Sequence, residues 1–138
     1  MSVSVIATII TVLGSAIVAA ITFCLTKKHE LSVQWRNEKL NHYKALFSSI
    51  SELADNGIKQ EGAGKRFALA VNTIFLVAPQ YVISALMDFC DEIQSSNLNK
   101  SSERHDELLK KLVLAVRKDI GLVKGDNIDN FKIHLMSS

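Results

Sequence analysis

The chain has 138 residues, 48% of them hydrophobic and 22% charged, and its 16 Lys and Arg against 14 Asp and Glu leave a formal charge of +2. That length limits it to one modest domain beyond any membrane segment, and the near-neutral balance argues against a general nucleic-acid coat protein. With one Pro, six Gly and only two Cys, it is not a collagen, a disulfide scaffold or a Cys-based metal cage, and no biased tract marks a disordered tail.

No charged residue precedes Lys27. A helix over the 26 uncharged residues reaches roughly 39 Å, enough to cross a hydrocarbon core of about 30 Å. A cleaved secretory signal would carry a basic start and a shorter apolar stretch, so residues 1–28 read as a retained transmembrane helix. Lys27 and Lys28 abut its end and Arg36, Lys39 and Lys44 follow, whereas the opposite flank has no Lys or Arg. The positive-inside rule then predicts a single-pass protein of the inner (cell) membrane with its N-terminus outside and residues 29–138 in the cytoplasm. Cys24 and Cys90 read as reduced, packed thiols in that compartment.

Along the span, Ala7, Thr11, Ser15 and Ala19 fall four apart, and Thr8, Thr11, Ser15, Thr22 and Thr26 follow the steps of one seam in a supercoiled bundle. Two readings stay open. The hydroxyls bond back to their own helix and the small residues are incidental, or the stripe packs spans together and faces a weakly polar path. Thr8, Thr11, Ser15, Ala19 and Thr22 are the candidate pore-lining or span-packing residues.

Beyond the span, Leu40, Tyr43, Leu46, Phe47, Ile50 and Leu53 form a helical stripe. No Pro or Gly interrupts Glu30 to Asp55, so the first helix is expected to continue out of the membrane and to end at Asn56 and Gly57. A Gly-containing linker precedes a second helix from Lys65 to about Val77, with Phe67, Ala70, Val71, Ile74 and Phe75 as its apolar face. Pro79 separates it from a third stripe, Val82, Leu86, Phe89 and Ile93. A fourth helix starts near Ser101 or Ser102 and runs to about Ile120, with Glu103, Asp106 and Glu107 early and Arg117 and Lys118 late, as the helix dipole favours. Leu108, Leu112, Ala115 and Val116 are its expected buried side, and Gly121 its left-handed cap. Residues 128–136 fit a helix or a strand equally well. The fold class expected is therefore all-α, an N-terminal transmembrane helix followed by a small cytoplasmic antiparallel four-helix bundle.

Few residues invite chemistry. Arg36 and His42 stand near the spacing that HEPN-type helical ribonucleases use. Six helical steps nevertheless leave the two side chains some 120° apart, so Arg36 reads as a headgroup-side cation and His42 as a surface residue. His29, His105 and His134 lack companions at metal-ligand spacing, and no phosphate loop or nucleophile elbow is present. No catalytic residue, metal or cofactor is expected. Basic residues cluster instead: Lys65 and Arg66 open the second helix, and Lys110, Lys111, Arg117 and Lys118 lie on the last. These form either a solvated surface or, when repeated about an oligomer axis, a pocket for an anionic ligand.

The segments WRNEKLNHYKALFSSISEL (35–53), VAPQYVISALMDF (77–89) and HDELLKKLVLAVRKDIGL (105–122), behind an N-terminal span, resemble small single-span membrane effectors of bacterial antiphage operons. The membrane channel of the Hailong system and the membrane pore accessory of type VI CRISPR systems are of this kind. The resemblance implies a homo-oligomer in membrane lipid whose spans surround an ion path, gated by a cytoplasmic nucleotide or oligonucleotide and partnered with the enzyme that makes it. Depolarisation would then halt the infected cell. A membrane-anchored scaffold is the alternative, and a tethered ribonuclease using Arg36 and His42 a third reading.

Overall fold

A computed structural model describes residues 2–56, 62–94, 98–99, 101–121 and 125–134. Among the described residues four helices follow one another: α1 (Val3–Asn56), α2 (Ala63–Val77), α3 (Gln80–Ile93) and α4 (Ser102–Ile120). Among the described residues there is no strand, and the fold is all-α. The chain divides into two compact units, Met1–Asn37 and Glu38–Ser138. The division falls inside α1, beyond the charge boundary at residue 28, because residues 29–38 are exposed and the first bundle contacts begin with Lys39 and Leu40.

The first unit is the N-terminal part of α1. Its residues are all exposed, including Ile10, Val18, Phe23 and Leu25, and the helix is long and apolar enough to cross a membrane. A helix closes its own backbone hydrogen bonds, which is what permits a segment to sit in hydrocarbon.

The second unit is a helical bundle around one core. The C-terminal part of α1 contributes Tyr43, Leu46 and Ile50, α2 contributes Val71 and Ile74, α3 contributes Val82, Leu86 and Phe89, and α4 contributes Leu108, Leu109, Leu112, Val116 and Ile120. The closest packing is that of α3 on α4. Most of the expected stripes are buried, with three differences. Phe75 lies 42% exposed and outside the core, because the α2 side that faces the other helices runs through Phe67, Val71 and Ile74. Leu109 and Ile120 are buried beyond the four residues expected on α4. The 128–136 tail adopts neither expected form where described: residues 128–130 turn and 131–134 are irregular, while 135 and 136 lie outside the described residues.

Helix ends follow local chemistry. The Ser101 hydroxyl accepts from the Arg104 backbone N–H at 3.1 Å and caps α4. Gly121 closes it with φ 68°, a conformation costly for any residue with a Cβ, and its N–H returns to Lys118 and Arg117 carbonyls. Pro79 is the residue before α3 rather than its first residue.

Leu112 is fully buried between the helices. Leu112→Ala is expected to cost about 2–5 kcal/mol, and thermal melting of the detergent-solubilised chain followed by circular dichroism checks it.

Candidate functional site

Thr8 Oγ1 donates to the Ser4 carbonyl at 2.8 Å, Thr11 Oγ1 to Ala7 at 2.9 Å and Ser15 Oγ to Thr11 at 2.9 Å. Each hydroxyl proton is thus committed to the helix's own backbone, four residues earlier. The side chains still line up: on a regular helix Thr8, Thr11, Ser15, Ala19 and Thr22 fall within an arc of about 80°. All five are exposed.

The basic residues lie on two helices, Lys65 and Arg66 on α2 and Lys110, Lys111, Arg117 and Lys118 on α4. Arg66 makes a two-pronged pair with Glu52 of α1, through Nε at 3.0 Å and through its terminal nitrogen. Arg117 Nε donates to Asp126 at 2.8 Å, and its guanidinium lies 5.4 Å from the Phe131 ring centroid, which holds residues 126–131 against α4. Lys111 pairs with Glu107 at 3.2 Å, and Lys118 sits 5.0 Å over the Tyr81 ring. Lys65 and Lys110 have no ion pair among the described residues. Glu52 is held below the usual carboxylate range by its hydrogen bond from Arg66.

An open groove of about 610 Å³ runs between α4 and residues 128–134. Glu103, Asp106, Glu107 and Asp129 line it together with Lys110 and Lys132, a mixed set that does not favour an anion. Among the described residues no three His, Cys, Asp or Glu gather as metal ligands. His105 packs on the Phe89 ring at 5.3 Å, and Arg36 (exposed) and His42 (half-buried) both lie on α1.

Two polar clusters escaped the sequence reading. Asp119 of α4 accepts from Lys39 Nζ at 3.0 Å and from the Tyr43 hydroxyl at 2.6 Å, in a setting where Lys39 and Asp119 are only 15% and 11% exposed. Burial first, then the bond to Asp119, holds the Tyr43 hydroxyl protonated well above its ordinary range. This clasp ties α1 to the end of α4. The second is Glu92, 5% exposed, whose carboxylate accepts from the Ser101 backbone N–H at 3.0 Å and pairs with Arg104 Nε at 3.3 Å. A buried carboxylate is stable only with such donors. The sequence shows Asp119 and Glu92 as ordinary helix acids. The only available signal was that each falls near an apolar stripe, next to Ile120 and Ile93.

Cys90 is buried, and burial, helped by Asp91, pushes its thiol up to about 11. A thiol so placed is a poor nucleophile at neutral pH.

No protein-family model, curated protein or solved structure matches the chain.

The clasp yields a prediction with a pH sign. Tyr43→Phe removes a charge-assisted hydrogen bond and is expected to cost about 1–3 kcal/mol near pH 8. Because folding raises the Tyr43 pKa, its share of stability is complete below the unfolded value of 10.0 and falls as pH climbs past it. The melting difference between wild type and Tyr43→Phe should therefore shrink from pH 8 to pH 11; a difference that grows over that window contradicts the assignment.

Proposed function

We propose that the chain is a single-pass membrane protein whose spans associate into an ion-conducting path, with the bundle on the cytoplasmic side responding to an anionic ligand such as a nucleotide or oligonucleotide. In a bacterial antiviral setting, the role implied by the resemblance, opening would depolarise the cell. The observation that carries this reading is the stripe of Thr8, Thr11, Ser15, Ala19 and Thr22 on the otherwise apolar residues 3–25 of α1. Small residues allow close helix approach, and hydroxyls then meet at the axis of the assembly.

The hydrogen bonds within the span also bear on which ion would pass. Each of Thr8, Thr11 and Ser15 spends its proton on a carbonyl of its own helix. What remains for the axis is oxygen lone pairs, and oxygen acceptors suit cations. No cationic side chain in residues 2–26 opposes this.

The same bonds favour a second reading, a membrane-anchored scaffold, since a hydroxyl satisfied by its own helix needs neither a neighbour nor water. An anionic ligand would also have to compete with Glu52, Glu107 and Asp126 for Arg66, Lys111 and Arg117.

Purified protein in liposomes, challenged with nucleotides and short oligonucleotides, is expected to pass K⁺ in preference to Cl⁻. Ser15→Leu should abolish the flux, while Ile17→Val, on the other side of the helix, should not. Bilayers that stay sealed under every ligand condition reject the channel. Full function after replacement of residues 3–25 by an unrelated Leu-rich helix establishes the scaffold.

A further inference from the structure

After α4 the chain lies against that helix as a strap, described over residues 125–134, and one side chain fastens it. Arg117 holds Asp126 at two points, through Nε at 2.8 Å and a terminal nitrogen at 3.3 Å, and its guanidinium lies 5.4 Å from the Phe131 ring centroid. Among the described residues no other hydrogen bond or ion pair joins the strap to a helix. The strap is nevertheless a single piece. The Asn127 carbonyl accepts from the Asn130 N–H at 3.3 Å and the Phe131 N–H at 3.0 Å, and the Asn127 side-chain oxygen accepts from the Asp129 N–H at 2.9 Å. Residues 125–130 are exposed, and only Phe131 and Ile133 are half-buried. Gly125, just before Asp126, has φ 99°, a backbone conformation that glycine adopts freely.

We propose that this strap is an autoinhibitory latch: the Asp126 carboxylate occupies the Arg117 fork in place of a phosphate of an oligophosphate ligand, and that ligand releases the strap by displacing it. The inference rests on the response of the bundle to an anion proposed above, and supplies its site and its regulation. A guanidinium presents the same pair of N–H donors to a carboxylate and to a phosphate, so the geometry that seats Asp126 also seats a phosphate. The strap carries Asp126 and Asp129 against Lys132, which makes it a net anion with His134 neutral.

The exchange favours a ligand with several charges. Lys110 lies two turns before Arg117 on the same side of α4, about 10.5 Å along the axis. It lines the groove beside the strap and has no ion pair among the described residues. Asp126 meets Arg117 alone, whereas a chain of phosphates reaches Lys110 as well. Release also removes opposing charge. Asp129, one of the carboxylates that keep the groove from favouring an anion, leaves with Asp126. From residue 108 to residue 118, α4 then presents Lys110, Lys111, Arg117 and Lys118 and no acid. Glu103, Asp106 and Glu107 remain toward the start of the helix, which places the ligand on its C-terminal half. The Arg117 and Asp126 side chains are 30% and 20% exposed, so a competing anion can reach the pair from water.

The test uses the full chain in a phosphate-free detergent, in a Cys24→Ala background, with spin labels at Ser102→Cys on α4 and Asn130→Cys on the strap; Cys90 is buried. Inorganic triphosphate is the probe. At saturation it should replace the docked distance between the labels by a longer and broader distribution. Asp126→Asn should show that released distribution without ligand. It should also bind triphosphate about fivefold tighter or more by titration calorimetry, because self-competition lowers apparent affinity by the fraction of chains that are open. Arg117→Gln should release the strap and lose binding, whereas Lys110→Gln should weaken binding about fivefold with the strap still docked. Equal binding by wild type and Asp126→Asn with the labels unmoved overturns the latch and leaves the anion response of the bundle standing. No binding by either protein at unchanged helicity overturns both. Release on transfer to nanodiscs of anionic lipid, with no triphosphate added, keeps the latch and names a lipid headgroup as the source of phosphate; release by triphosphate alone names a soluble one.

Discussion

Between Val3 and Leu25 every large side chain is apolar and every one is exposed, so the placement of the whole chain turns on what solvates α1. In water this surface would be costly at about 25 cal/mol per Å². In a bilayer it costs nothing, and beyond its first turn the helix needs no partner for its backbone because each N–H has a carbonyl four residues back. The hydroxyls of Thr8, Thr11 and Ser15 likewise find acceptors in their own helix. A polar stripe built this way can enter hydrocarbon as a monomer and still offer a weakly polar seam to neighbours.

The bundle in turn depends on the C-terminal part of α1. Tyr43, Leu46 and Ile50 are core residues alongside those of α2, α3 and α4, so the three later helices alone would leave their shared apolar surface open. The Asp119 clasp adds direction to this packing. It takes the two first bundle-facing polar side chains of α1, Lys39 and Tyr43, and binds both to the last turn of α4. Removing one partner of a mostly buried pair leaves a charge without compensation, a loss of about 3 kcal/mol, whereas many apolar contacts around it are exchangeable. The helix long and apolar enough to cross a membrane is therefore also the helix that closes the core.

Much of this was legible in the sequence because it is written in local pattern. The charge-free first 26 residues, Gly121 as a cap, Pro79 as a break and the stripes of Tyr43, Leu86 and Leu112 are each decided within a few residues of chain. What could not be read is set by partners distant in sequence. Asp119 meets residues of α1 some eighty positions earlier, and only its place beside Ile120 sets it apart from the solvated acids of the same helix. Phe75 has the size and spacing of a core residue, yet α2 offers two apolar sides and only the folded bundle chooses between them. The tail was undecidable by period, and it is held by Arg117, which bonds Asp126 and lies over Phe131. For the candidate site, the span stripe was visible by spacing, while the state of its hydroxyls and the partners of the basic residues were not.

Those partners change what a basic cluster means. Counted along the chain, Lys65 with Arg66 and Lys110, Lys111, Arg117 and Lys118 look like concentrations of positive charge, but Glu52, Glu107 and Asp126 stand against three of the six. Ion pairs at a protein surface hold their partners weakly and are screened by salt. They neutralise the field at rest without holding the cations firmly. A ligand carrying several phosphates could outbid Glu52 and Asp126 together only where cations from more than one chain converge, because a single bundle distributes Arg66 and Arg117 on different helices. Symmetric assembly would supply that convergence by repeating each pair around an axis. In the proposed assembly, the step that brings copies together would also turn locally balanced surface charge into a field strong enough to select a ligand.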